Sequence, residues 1–444
     1  MTDNDNMAIN RTPVPRPRLV VGPSTKTKLT RQQVLGFWAA WSGWTLDGMD
    51  SFIYALVLAP AMAELLPKSG IAASSGNIGL VGSLLFAVFL VGWGLSFLWG
   101  PISDRYGRTR VLAATIFVYA AFTTAAAFSQ NVYQLGFFRL LAGFGIGGEW
   151  AVAGTYVSEA WPEDRRVMGA GYLQTGYYVG FFLAAALNYT VGTHFGWRAM
   201  FLCGSVPVVV SLVIVARVKE PERWKSSHKN LAERALFLDI FRGQYRRRTL
   251  INTALLTVAI CGLWAGAVYE PTAILALGKN ASISQSTANR LASLGTGILS
   301  VGTILGCLAL PPMAERFGRK PTLAFYFSGL MMCIILCFGW AFYLTNGLRP
   351  FMELLFFLGF FGGNFAMFTL WLPEQYDTSV RATAFAFATS CGRFLCAGLN
   401  FLVGALVREM GTLGKPVALT AIAFAVGLFL IPFAVETRGR RLPD

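Results

Sequence analysis

Long apolar runs separated by short polar and basic stretches dominate this chain of 444 residues. A helix needs about 20 apolar residues to cross a hydrocarbon core. The runs predict twelve such helices, near residues 34–62, 77–99, 111–130, 132–160, 169–190, 199–216, 250–276, 290–312, 322–344, 350–372, 382–407 and 416–435. Charged residues interrupt the fourth and eleventh runs and blur their ends. The pattern reads as an all-α, polytopic membrane protein in two six-helix bundles. Residues 1–33 form a polar tail, 34–216 and 250–435 the bundles, 217–249 the linker between them, and 436–444 a second tail.

Composition supports this division. Hydrophobic residues make up 55% of the chain and charged ones only 13%, where soluble domains carry nearer a quarter charged. The 47 glycines suit closely packed membrane helices. The net charge of +15 could suggest nucleic acid, but the basic residues sit in short loops between apolar runs. Of the 37 lysines and arginines, 28 fall on the side of the termini and seven on the other, with Arg139 and Arg393 inside helices. That bias predicts both termini in the cytoplasm, in a plasma membrane or a bacterial inner membrane. No nucleic-acid partner is expected.

The seven cysteines lie in apolar runs without a CxxC spacing and read as small buried hydrophobes. His194 and His228 fall in predicted loops, so no metal site is expected, and neither a phosphate-binding glycine loop nor a nucleophile–base arrangement is present. The chain reads as a non-enzyme without a cofactor.

The two halves repeat one another. GPISDRYGR (Gly100–Arg108) follows the second helix and PPMAERFGR (Pro311–Arg319) follows the eighth. Asp104 matches Glu315, Arg105 matches Arg316, Gly107 matches Gly318, and Arg108 matches Arg319. Internal duplication of this kind places a binding site at the interface of the halves, near the midplane.

At these residues the chain resembles the major facilitator superfamily, whose loop 2–3 motif is G-x-x-x-D-R-x-G-R and a further basic residue. Arg110 rather than Thr109 supplies that last charge, and Pro311 replaces the glycine in the second copy. ETRGRRL (Glu436–Leu442) resembles the family's C-terminal motif. WTLDGMDSFIY (Trp44–Tyr54) is similar to the first-helix signature of organic-acid:proton symporters of the sialate/lactate and aromatic-acid types. The stretches Arg139–Pro162 and Gly392–Phe394 are similar to their fourth and eleventh helices. GLWAGAVYEPT (Gly262–Thr272) keeps only the end of the lactate-type seventh helix. The resemblance implies proton-coupled uptake of a small organic anion, a monocarboxylate, sialate-like or aromatic acid, with a proton as coupling ion.

Specific side chains fit that expectation. Asp47 and Asp50 share a helix face with Tyr54 one turn on. An ionised carboxylate in the bilayer core costs at least ~2.5 kcal/mol, so it is paired, protonated or in a water-filled cavity. The reading for proton coupling is Asp47, Asp50, Arg139 and Glu149, with Arg139 at a depth comparable to Asp50; the alternative for the pair is a static brace. Arg393, near the midplane, is the substrate candidate, because arginine stays charged and grips carboxylates bidentately; its alternative is pairing with Glu270. Tyr54, Gln174, Tyr177, Tyr178, Trp264, Tyr269, Asn364 and Asn400 are candidate cavity residues. Asp104, Arg105, Arg108, Glu159, Glu270, Glu315, Arg316 and Arg319 are candidate gate residues. The expected partners are the organic anion, protons and lipid, with the monomer as functional unit. The rival readings are a carrier of a neutral or cationic solute, a uniporter, and a sensor that does not transport.

Overall fold

The computed structural model describes residues 27–229, 237–243 and 245–443. Residues 1–26 of the first tail and 230–236 of the linker lie outside the described residues. All elements described are helical. In chain order they are α1 (Arg31–Lys68), α2 (Ser75–Leu95, continuing through Ser96–Leu98 into Trp99–Tyr106), α3 (Arg108–Ala126), α4 (Val132–Ala160), α5 (Arg166–Leu187) and α6 (Thr193–Leu202, resuming at Val206–Arg217). The second half repeats the series with α7 (Tyr245–Asn280), α8 (Gln285–Phe317), α9 (Arg319–Ile334), α10 (Leu348–Gly362, resuming at Phe365–Trp371), α11 (Arg381–Met410) and α12 (Gly414–Leu419, resuming at Ile422–Leu430).

Each predicted helix therefore has a counterpart. The fourth and eleventh, blurred by charge, are continuous over 29 and 30 residues. Arg139, Glu149, Glu159, Arg381 and Arg393 on them are buried inside the protein and do not end the helices. Eight described segments are long and apolar enough to cross a membrane on composition alone. Helices α4 and α5 fall short of that threshold because they carry the polar residues of the centre: Arg139, Glu149, Gln174 and Tyr177.

Within each half, equivalent helices touch through glycine. A Cβ at Gly92 would meet the carbonyl oxygen of Leu140 between α2 and α4, and one at Gly306 would meet that of Phe360 between α8 and α10. The halves meet along two seams, α2 against α11 and α5 against α8. The first and last described residues lie on one face, here called the terminal face. There Gln33 Nε2 donates to the Ala160 carbonyl oxygen, and the Leu442 amide donates to Glu163.

The duplicated loops explain their own glycines. Gly107 and Gly318 take φ of 111° and 101°, a region that side chains disfavour. That turn aims the free amides of α3 and α9 at one carboxylate each. Glu220 of the linker accepts from the amides of Arg108, Thr109 and Arg110, and Glu436 of the C-terminal tail accepts from those of Arg319 and Lys320. Both acids satisfy orphan helix donors and complement the helix dipole.

Candidate functional site

Five ionisable side chains gather at the centre of the molecule, on α1, α4 and α11. Asp47, Asp50, Arg139 and Glu149 are fully buried, and Arg393 is 4% exposed. The expected pair forms: Arg139 Nη1 is 3.7 Å from Asp50 Oδ2. Among the described residues no hydrogen bond joins them, and the Arg139 nitrogens have no hydrogen-bond partner. Arg139 is instead cradled by rings, 4.7 Å from the Tyr54 centroid and 4.2 Å from that of Phe89. Tyr54 donates to the Gly82 carbonyl at 3.1 Å, which fixes its ring beneath the guanidinium.

Asp47 lies one turn nearer the terminal face. It accepts a long bond, 3.4 Å, from Ser51, and among the described residues its Oδ2 has no hydrogen-bond partner. It interacts electrostatically with Asp50 in its own helix, with Glu149 on α4 and with Arg393 on α11. Glu149 fills the space that Gly43 leaves on α1, and neither of its oxygens has a hydrogen-bond partner. The acids thus form a chain along the α1–α4 contact, with an arginine at each edge.

Arg393 comes from the other half. Its Nη1 donates to the Thr389 carbonyl at 2.9 Å, and its guanidinium lies 3.8 Å from the Trp93 ring and 5.7 Å from that of Trp150. It does not pair with Glu270, which accepts from Thr296 at 3.1 Å inside the second half. Around this point Trp44 stacks on Trp150 and Tyr177, with centroids 5.9 and 4.8 Å apart. Trp150 also donates to Thr369 at 3.0 Å, and Thr369 in turn to Gln174 at 3.2 Å. The centre is a charged core walled by aromatic rings and sealed from solvent in this conformation.

The candidate cavity residues divide. Tyr54, Gln174, Tyr177 and Tyr178 are buried, and the first three contact the central cluster as just described. Asn364 is buried but bonds to the Phe361 carbonyl of its own segment. Tyr269 is half-buried beside Glu270. The side chains of Trp264 and Asn400 lie outside the described residues.

On the terminal face the halves are joined by a crossed set of ion pairs. Arg108 donates to Glu159 of its own half at 3.0 Å, and Arg381 of the other half donates to the same Oε1 at 2.7 Å. Symmetrically, Glu374 Oε1 accepts from Arg319 of its own half at 2.7 Å and from Arg166 of the other at 3.3 Å. Asp104 bonds Arg108 at 2.6 Å and the Thr383 amide across the seam at 2.8 Å. The C-terminal tail closes over these arginines, offering the carbonyl oxygens of Arg440 and Pro443 to Arg166 and Arg381. Arg105, Glu315 and Arg316 stay exposed, Glu315 in an ion pair with Arg319 at 2.9 Å.

Several of these residues were not singled out from sequence: Trp44, Trp93, Trp150, Thr369, Arg166, Glu374 and Arg381. A signal for three of them was present. Glu159 is followed seven residues later by Arg166, and Glu374 by Arg381, at equivalent places in the two halves. The tryptophans gave none, because a large ring in an apolar run looks like any lipid or core contact.

Comparison with known proteins places this geometry in context. The sequence profile of the Major Facilitator Superfamily matches residues 40–399. A probable 4-methylmuconolactone transporter of Cupriavidus pinatubonensis is 30% identical over 419 residues, covering 92% of both chains. The niacin transporter NiaP of Acinetobacter baylyi is 27% identical over 441 residues, covering 91% of this chain and 94% of its own. Among solved structures, the proton:xylose symporter XylE, bound to 6-bromo-6-deoxy-D-glucose, superposes with a TM-score of 0.76 at 18% identity, over 93% of this chain and 98% of that one.

Proposed function

Because the chain belongs to the major facilitator superfamily, and is thus a multi-pass membrane transporter rather than an enzyme, we propose that it imports a small organic acid anion together with one or more protons by alternating access. The observation that carries this reading is the placement of Arg393 on one half opposite Asp47 on the other, within one aromatic-walled centre. A guanidinium at lipid depth attracts a carboxylate, which it can grip bidentately. Three acids face two arginines there, so one acid is left without a cation, and a bound proton is what neutralises it. Anion on Arg393 and proton on the acid chain then cross together at small net charge.

In this reading Asp47, Asp50, Glu149 and Arg139 carry the proton, and Tyr54, Gln174, Tyr177 and Tyr178 line the substrate's space. The ion pairs of Asp104, Arg108, Glu159, Arg319 and Glu374 hold the terminal face shut. The excess of lysine and arginine on that face supports its being cytoplasmic. Relatives named for transport of muconolactone, niacin and muconate support an organic acid as substrate, and the fold of a proton symporter is compatible with proton coupling.

The test is uptake into proteoliposomes under an imposed gradient, acid outside, with nicotinate, gentisate, cis,cis-muconate, lactate and N-acetylneuraminate offered in parallel. At least one should accumulate, accumulation should vanish when the gradient is collapsed, and Arg393→Ala should abolish it while melting like the parent protein. Accumulation indifferent to the gradient, or undiminished in Arg393→Ala, would defeat the reading.

A further inference from the structure

Helices α2 and α11 run antiparallel along their seam. Asp104 meets Thr383 at the terminal face, Ser96 and Ser390 follow with their hydroxyls 3.3 Å apart, and Trp93 meets Arg393 at the centre. Trp93 is 1% exposed and its place is built for it: a Cβ at Gly147 of α4 would collide with the indole. The indole face lies against the guanidinium, with 3.8 Å from its carbon to the ring centroid. The Thr389 carbonyl occupies Nη1. Among the described residues Nε is buried without a hydrogen-bond partner. One face and one nitrogen of Arg393 are therefore spoken for, and the edge carrying Nε and Nη2 remains. Two parallel N–H groups on one edge are what a carboxylate accepts from.

We infer that Trp93 is a positioning residue for the transported anion. It fixes the plane of the Arg393 guanidinium, so that the Nε/Nη2 edge is presented to the carboxylate without a search through rotamers. This rests on the reading of Arg393 as the anion site. Because Trp93 belongs to the first half and Arg393 to the second, the presented edge exists only while the α2–α11 seam is closed at this level. Anion affinity is thereby tied to the relative position of the halves.

The test uses the carboxylate from the panel above that accumulates most. Trp93→Leu, which removes the ring face, should raise KM about tenfold, the worth of a desolvated cation–π contact, with the maximal rate close to that of the parent and a melting temperature lowered by the cavity it leaves. Trp93→Phe, which keeps a face, should restore KM to within about threefold. A KM unchanged in Trp93→Leu, or raised equally in both variants, would overturn the inference. If Arg393→Ala binds normally, the anion-site reading itself has failed; if it does not bind while Trp93→Leu binds as tightly as the parent, only the positioning role has. An arm without ligand decides independently. The emission difference between the parent and Trp93→Phe isolates the Trp93 indole, and Arg393→Gln should shift that difference spectrum. An unshifted spectrum would mean that the two groups do not stack.

Discussion

The Asp50–Arg139 contact illustrates how a membrane interior changes the meaning of a single residue. At 3.7 Å the two charges attract but do not share a hydrogen bond, and the arginine leans on Tyr54 and Phe89 for the rest of its stabilisation. Removing one member of a buried pair typically costs about 3–5 kcal/mol, because the other charge is left uncompensated. Asp50→Asn should therefore lower the melting temperature in detergent, and so should Arg139→Gln. The double variant should melt nearer the parent than either single one. In vesicles Asp50→Asn should still exchange labelled for unlabelled anion but should fail to accumulate it against a gradient. Accumulation at the parent level would remove Asp50 from the proton path. The carboxylates, Arg139 and Arg393 were legible in the sequence because a charge at lipid depth is conspicuous. Trp93 and Trp150 were not, since their part depends on which face of a helix meets which neighbour, and that is set by tertiary contact.

At the scale of the element, apolar length fixed the count and order of the helices, and glycine fixed how closely they approach. Gly306 faces the Phe360 carbonyl with no room for a methyl group, whereas nothing lies within 4 Å of the space a Cβ would take at Gly398. Gly306→Ala should lower stability by about 1–3 kcal/mol, the usual cost of overpacking. Gly398→Ala should be neutral or raise it slightly through helix propensity. Thermal unfolding of the two variants checks the contrast, and equal effects would mean that α8 and α10 are not in contact as described. Which glycines matter could not be read from the chain, because GxxxG spacing says that a face is small but not what approaches it. The last turn of α4 and the first of α11 were obscured for a related reason, since Glu159 and Arg381 there are met by partners on other helices.

At the scale of the whole molecule, the terminal face ties the two halves together. Its bonds cross between halves that share no covalent link except through residues 217–249, and the C-terminal tail adds its own carbonyls to the same arginines. Glu159→Gln weakens the acceptor for both Arg108 and Arg381. It should shift the population towards a form open on that face, read as faster maleimide labelling of a cysteine introduced at Ala153, which is wholly buried behind the gate. Glu374→Gln should do the same through Arg319 and Arg166. Labelling unchanged in both would show that the closed form does not depend on these bonds. The duplicated motif made half of this network readable in advance. The other half, Arg166 and Arg381, sits in stretches whose pairing appears only when the two bundles are set side by side.

One detail of that network sets which bonds a change of shape has to break. A single oxygen, Glu159 Oε1, receives a guanidinium from each half, and Glu374 Oε1 does likewise. The brace inside a bundle and the clasp between bundles share these two atoms, but each brace keeps a second bond of its own, Arg108 Nε to Glu159 Oε2 at 3.1 Å and Arg319 Nε to Glu374 Oε2 at 3.0 Å. In the proposed transport cycle the clasp can therefore open while each bundle stays braced, so that the halves move as rigid bodies between two discrete shapes.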